Sequence, residues 1–352
     1  MESERSRSGH LAALLDSHVV TQIIASAVRF KIPDHLADGT MTEQQLSDVT
    51  GIGVPVLRRY LRALQGLGLV EEVGAVGAVG EAGEAGEAGE SRAGYRGTAL
   101  ADLLRSDSGS LHGHSLMAGD DYYGAWAELD HALRSGESAY EHRHRRSLWD
   151  QLSEQSQVAE SFTRTMQWNS ERALDEVLGL YDFSAARTVA DLGAGHGTLT
   201  AGLLRRHPQV RAMVLEQPAV IDHARRSLTE AGLADRCEFL TGDLLREIPR
   251  GADLYLLKSV IHNWNDETAL RILRNCHAAM GATDRLLVVE RVADASNQLD
   301  AAIRDLTMLV LFGSQDRSRD EYATLLRDAG FTVTNAVTGP TGFCVLEAAP
   351  AR

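Results

Sequence analysis

The sequence predicts an α/β protein: a seven-stranded, mostly parallel sheet with helices on both faces, preceded by a mainly helical domain built around a winged helix-turn-helix. Three observations predict it. From about residue 181, short apolar runs alternate with amphipathic helical stretches. The first run ends in a glycine-rich turn that opens a helix. Upstream, residues 41–97 carry the signals of two short helices followed by a hairpin.

The strands are expected at 188–193, 212–216, 237–243, 254–259, 285–292, 332–338 and 342–348. Helical patterns fill most of the gaps, which favours parallel pairing. Only "GPTG" separates the last two, so they should form a hairpin with one strand antiparallel.

In the N-terminal part, apolar helical patterns such as "LLDSHVVTQIIASAV" fall within 11–37. Thr42 is a helix N-cap with Gln45 three residues later, the capping-box spacing. Gly51 and Gly53 make a turn. Val56, Leu57, Tyr60, Leu61 and Leu64 then recur at helical spacing, and Gly66 or Gly68 closes the helix. "LVEEV" and "GYRGT" are the two wing strands. Between them "GAVGAVGEAGEAGEAGE" at 74–90 has glycine at every third position but no proline, which excludes collagen and reads as an acidic loop tip. The middle region is mostly helical, with Trp126, Leu129 and Leu133 expected on one face and Phe162, Met166 and Ser170 on another. This gives three regions: 1–112 with the insert, 113–180 and 181–352.

Bulk properties narrow the function classes. The 352 residues suffice for two domains, and the net charge of −14 opposes a phosphate-rich partner. Arg58, Arg59 and Arg62 on the second helix invite a DNA-binding reading, but the acidic wing would face phosphates. Packing against a second copy is the preferred role. Cys237, Cys276 and Cys344 are far apart, which suits a reducing cytoplasm and excludes a paired metal or redox motif. His142 and His144 in "EHRHRR" lack a third ligand, so no metal is expected. No membrane-length apolar run is read, and "MESERSRSGH" does not resemble a secretion signal.

"TVADLGAGHGTLT" carries the most information. Its glycines Gly193, Gly195 and Gly197 permit a tight strand-to-helix turn and close approach by a ligand. The spacing is not that of a dinucleotide fingerprint, since Thr198 stands where the third glycine belongs. The next strand ends in Glu216, about twenty residues on, placed to accept ribose hydroxyls. A third ends near Asp243. Asp191, Gly193, Glu216 and Asp243 thus meet at the carboxyl ends of three strands, with no lysine or arginine cluster for a pyrophosphate. A nucleoside joined to a cation suits such a pocket, as in S-adenosylmethionine (SAM).

"VADLGAGHG", "VLEQPAVI", "GDLL", "LLKSVIHNWNDE", "LLVVERV" and "DLTMLVLFGSQDRS" occur in that order and resemble motifs of the SAM-dependent O-methyltransferases of the plant caffeate-type family and its bacterial natural-product relatives. The resemblance spans nearly the whole chain. It implies a Rossmann-like class I methyltransferase domain, a winged-helix dimerisation domain, a homodimer, and SAM contacts from Gly193, Glu216, Asp243, Leu244 and Lys258. Glu216 replaces the usual aspartate, and Ala194 a frequent glycine.

His262 lies at the turn after the 254–259 strand. A phenol with a pKa near 10 is mostly neutral at physiological pH, so a histidine within reach can remove its proton during transfer. The resemblance places the family's base at His262 and flanking acids at Glu290 and Asp316. Asp316 is shorter than the usual glutamate, and Asn263 stands where aspartate is common. Trp126, Phe162, Met166, Met308 and Phe312 are the apolar candidates for the acceptor pocket, which the resemblance fills with a planar phenolic or polyketide-type molecule. N- or C-methylation on the same fold, and a ligand-sensing DNA-binding regulator, are the competing readings.

Overall fold

A computed structural model describes residues 4–74, 94–153, 157–218, 220–292 and 298–351. The chain divides into two compact units, residues 1–123 with 160–165 and residues 124–159 with 166–352. The expected insert lies, from residue 75 onward, outside the described residues.

The first unit opens with helix Glu4–Arg29. Thr42 caps helix Glu43–Thr50 in a full capping box with Gln45, and Gly51 ends it in the left-handed region. Helix Val54–Gly66 buries Leu57, Leu61 and Leu64, the i, i+4, i+7 stripe its spacing predicts. Three short strands, β1 (Met41–Thr42), β2 (Val70–Val73) and β3 (Gly94–Gly97), form an antiparallel sheet ordered β1-β3-β2. Two residues are too few for β1 to show a pattern in sequence.

The expectation of no membrane-length apolar run needs correcting. Residues Arg7–Arg29 contain an 18-residue window of mean hydropathy 1.5, and only 17% of it is buried in the chain. Asp16 and His18 interrupt the run to the eye without lowering the average enough. Leu11, Leu14, Leu15 and Val19 are all exposed along this helix.

The second unit holds the seven expected strands: β4 (Thr188–Leu192), β5 (Arg211–Glu216), β6 (Cys237–Thr241), β7 (Leu254–Lys258), β8 (Arg285–Arg291), β9 (Phe331–Thr338) and β10 (Phe343–Pro350). Their order is β6-β5-β4-β7-β8-β10-β9. The five from β6 to β8 pair in parallel, and β10 is antiparallel to both neighbours. The chain moves outward from β4 to β6, then returns to place β7 on β4's other side. The gap between β4 and β7 is therefore the topological switch, where ligands bind in open α/β sheets.

Burial follows the strand period of two. Tyr255 and Leu257 pack with Ile272, Leu273, Leu325 and Leu326 on one face; Leu254 and Leu256 pack with Val177, Leu203 and Leu228 on the other. Each such fully buried side chain contributes about 1.5–3 kcal/mol. Helix Asp266–Ala279 buries the expected stripe of Ala269, Ile272, Leu273 and Cys276, and Asn265 caps it by accepting from Thr268 N.

One middle-region expectation fails. Trp126 ends helix Asp121–Trp126, and Leu129 begins a separate helix, Leu129–Ser135, so Trp126, Leu129 and Leu133 do not share a helical face. Leu133 is exposed.

Candidate active site

The turn after β4 is built from three residues in the left-handed region, Gly193 (φ 77°), Gly195 (φ 58°) and Gly197 (φ 74°), a conformation that penalises any Cβ. At Gly197 a Cβ would meet Leu228 at 2.9 Å, whereas at Gly195 it would meet nothing within 4 Å. Gly197 thus serves packing, while Gly195 opens toward space a ligand can use. Gly195 N donates to Glu216 Oε1 (3.0 Å), and Gln217 N donates to Oε2 (2.7 Å). Burial raises the Glu216 pKa, with these two bonds opposing it.

Asp191 is buried, and Thr200 Oγ1 donates to its Oδ2 (2.5 Å). Burial pushes its pKa up to about 6, against the pull of the Thr200 bond and the Lys258 charge. Lys258, at the end of β7, donates to Ser170 Oγ (3.3 Å), and burial lowers its pKa. Asp243 is exposed and has two partners on its own loop: Leu245 N donates to Oδ1 (2.9 Å), and Arg246 Nε stands 3.5 Å from Oδ2. Leu244 places Cδ1 3.8 Å from the Cβ position of Gly193, and its carbonyl accepts from Asn275 Nδ2 (2.9 Å). Two carboxylates whose burial disfavours lone negative charge, beside an open glycine, fit the adenosyl cation of SAM.

Beyond β7 the backbone bends at Ser259, which has φ 54° without being glycine. The amides of Val260, Ile261 and His262 then converge on Glu290 Oε1 at 3.0, 2.8 and 3.3 Å. Glu290 is wholly buried at the end of β8, and its Oε2 has no hydrogen-bond partner among the described residues. That oxygen lies 3.8 Å from His262 Nδ1, which bonds Asp316 Oδ1 at 3.0 Å. Burial opposes charge on His262, but Glu290 and Asp316 together outweigh it and hold its pKa above the ordinary value. With Nδ1 engaged by a carboxylate, Nε2 is the nitrogen able to take a proton. Asn263 points back, donating to Ser259 O (3.2 Å).

Arg317 escaped the sequence reading. It is 2% exposed; Nη1 donates to Ile261 O (3.2 Å) and Nη2 to Trp264 O (2.8 Å), while Nε and Nη2 clasp Asp266 Oδ1 at 2.9 and 2.7 Å. It pins the segment that carries His262. Its neighbour in "GSQDRS", Asp316, drew notice, but an arginine beside an acid reads as surface in sequence.

The apolar candidates divide. Phe312 stacks on Trp149, ring centroids 5.0 Å apart, and Trp149 on Trp264 at 6.3 Å, an aromatic wall that sequence did not assemble. Met308 is half-buried on the same helix, Gln298–Phe312. Met166 is 36% exposed, Trp126 makes no ring contact among the described residues, and Phe162 belongs to the first unit. His142 stacks on His131, and no group able to hold a metal occurs among the described residues. A polar hollow of about 270 Å³ lined by Thr188, Arg211 and Glu238 lies at the opposite, N-terminal ends of the strands.

The sheet order, the glycine turn and the acid-lined rim define a class I methyltransferase. The particular family follows from likeness: the O-methyltransferase domain matches residues 126–332, and the O-methyltransferase dimerisation domain residues 12–107. The chain belongs to this family and is a SAM-dependent O-methyltransferase. It is 33% identical to the phenazine O-methyltransferase PhzM of Lysobacter antibioticus, over 97% of this chain and 96% of that one. The solved structure of the mitomycin 7-O-methyltransferase MmcR superposes with a TM-score of 0.87 at 32% identity, covering 99% and 98% of the two chains. The O-methyltransferase NcsB1 from neocarzinostatin biosynthesis, solved with SAM and 2-hydroxy-5-methyl naphthoic acid, has a TM-score of 0.77 at 28% identity, covering 94% and 96%.

Proposed function

We propose that the chain methylates a hydroxyl of an aromatic, phenolic or polyketide-type small molecule, with His262 as the general base. The observation that carries this reading is the His262–Asp316 bond of 3.0 Å on the segment that follows β7, whose last residue is Lys258. When bound, SAM would supply an activated methyl group with a neutral thioether as its leaving group. Asp191, Glu216, Asp243 and Lys258, with the backbone at Gly193, Gly195 and Leu244, would hold the cofactor. His262 Nε2 accepts the acceptor's hydroxyl proton as the new O–C bond forms. Asp316 fixes the tautomer, and Glu290 stabilises the imidazolium. Phe312, Met308 and Trp149 offer the acceptor a flat apolar wall, with Trp126 and Met166 as further candidates of the same unit.

The relatives' acceptors, a phenazine and a naphthoic acid among them, support the planar class. The acidic chain argues against nucleic acid as a partner, and the three free cysteines favour the cytoplasm. The exposed apolar stripe of helix Glu4–Arg29 pairs with a second copy, which puts Leu11 and Leu15 in a dimer rather than a bilayer. Residues 1–112, 113–180 and 181–352 are read as dimerisation, substrate-covering and cofactor regions.

The test is His262→Ala. Turnover of a phenolic acceptor should fall about 10²–10⁴-fold with SAM affinity unchanged by calorimetry. Equal turnover would remove His262 from the chemistry.

A further inference from the structure

The loop at 313–318 joins helix Gln298–Phe312 to helix Arg319–Asp328 and carries Asp316. It belongs to no helix or strand, yet it sets the Asp316 carboxylate 3.0 Å from His262 Nδ1. Like charge works against that placement. The charge of Asp316 helps to raise the pKa of both Glu290, on β8, and Asp305, on helix Gln298–Phe312, although burial is the larger cause for each. Three acids thus crowd one imidazole, and repulsion alone would turn the loop's carboxylate away from it.

Helix Gln298–Phe312 opposes this with two consecutive residues. The loop doubles back along the helix: Ser314 N donates to Met308 O (3.3 Å), and Asp316 N donates to Asp305 Oδ1 (3.0 Å). Arg304 places Nε 3.4 Å from Asp316 Oδ2. That nitrogen is buried and makes no hydrogen bond, and Asp316 is the ion-pair partner of Arg304 among the described residues. The carboxylate is therefore divided, with Oδ1 on the base and Oδ2 on a cation. Lys258 and Arg291 lie in the same field, but neither forms an ion pair with Asp316 among the described residues. An aspartate carries its carboxylate on a single methylene, so the carboxylate follows the backbone. Fixing its amide at Asp305 and one oxygen at Arg304 leaves the other oxygen little rotational freedom.

We infer that Arg304 is a positioning residue for methyl transfer: it holds Asp316 by Oδ2, so that Oδ1 stays on His262 Nδ1 and Nε2 stays free for the acceptor's proton. This rests on the reading of His262 as the base. Arg304 acts through Asp316 alone, which separates it from Arg317, whose contacts are with the backbone of the His262 segment and with Asp266.

The experiment is a double-mutant cycle on single-turnover methyl transfer by the whole enzyme, with the phenol it methylates fastest among naphthols and hydroxyphenazines. Arg304→Gln removes the cation and should slow transfer about 10–100-fold, the cost of a displacement of up to about 1 Å at the base. Acceptor KM and calorimetric SAM affinity should not change. Arg304→Lys keeps the charge and should recover part of the loss. In the Asp316→Asn background, Arg304→Gln should add less than about 2-fold, because the carboxylate it acts on is already gone. The same loss in both backgrounds overturns the proposal, since an arginine that only supports the fold is indifferent to Asp316. An equal loss in Arg304→Lys and Arg304→Gln overturns it too. Failure of Arg304→Gln to bind SAM, with Arg304→Lys binding SAM but showing no dependence on Asp316, assigns the arginine to the fold and has the same effect. Normal transfer by Arg304→Gln beside slow transfer by His262→Ala refutes this inference alone. Normal transfer by His262→Ala removes the reading of the base, and the inference with it.

Discussion

Replacing Arg317 by methionine tests whether the base is held in place from beneath. The substitution keeps an unbranched apolar stem and removes all four guanidinium contacts. Two backbone carbonyls, Ile261 O and Trp264 O, lose their donor, and Ile261 is fully buried. An unsatisfied buried acceptor costs about 1–3 kcal/mol. The ion pair with Asp266 adds little, because that carboxylate is 63% exposed and water screens it. Relief of a buried charge offsets part of the loss, leaving a destabilisation of about 2–4 kcal/mol. The freed carbonyls flank His262, so the imidazole should wander; displacement of about 1 Å costs roughly 10²-fold in rate. Urea unfolding and single-turnover methyl transfer measure the two effects. Asp266→Asn keeps both carbonyl contacts and serves as the control for rate: single-turnover methyl transfer should stay near normal. A stability loss below about 1 kcal/mol in Arg317→Met, with normal single-turnover rate, would refute the reasoning.

Three further outcomes are expected. In Asp316→Asn the charge that helps hold the His262 pKa up is gone; the base must be neutral to act, so the acidic limb of kcat/KM should move to lower pH. An unmoved or upward-moving limb would contradict this. Asp191 has a pKa of about 6 when folded against 3.8 when free, so it favours folding fully below pH 3.8 and loses that contribution as pH rises through about 6. Chemical unfolding without cofactor should find that Asp191→Asn gains on the unaltered protein by up to about 3 kcal/mol between pH 4 and 7; a constant difference across that range argues against it. Leu11→Glu with Leu15→Glu should turn a dimer into monomers by light scattering at micromolar concentration, and a persistent dimer would place the interface elsewhere.

Residue order alone determined the seven strands, the capping box at Thr42 and the glycine turn, because each is encoded within one element by period, cap or glycine. It also brought Glu216 and His262 to strand ends, since topology places those ends on one edge. Tertiary structure decided what the side chains do there. β10 enters between β8 and β9, Glu290 gathers three amides, and Asp243 accepts from Leu245 N on its own loop. Arg317 clasps Asp266 from 51 residues away and Asp316 reaches His262 across 54. Such pairings leave no periodic trace, because they depend on where separate elements end and which face each strand turns to its neighbour.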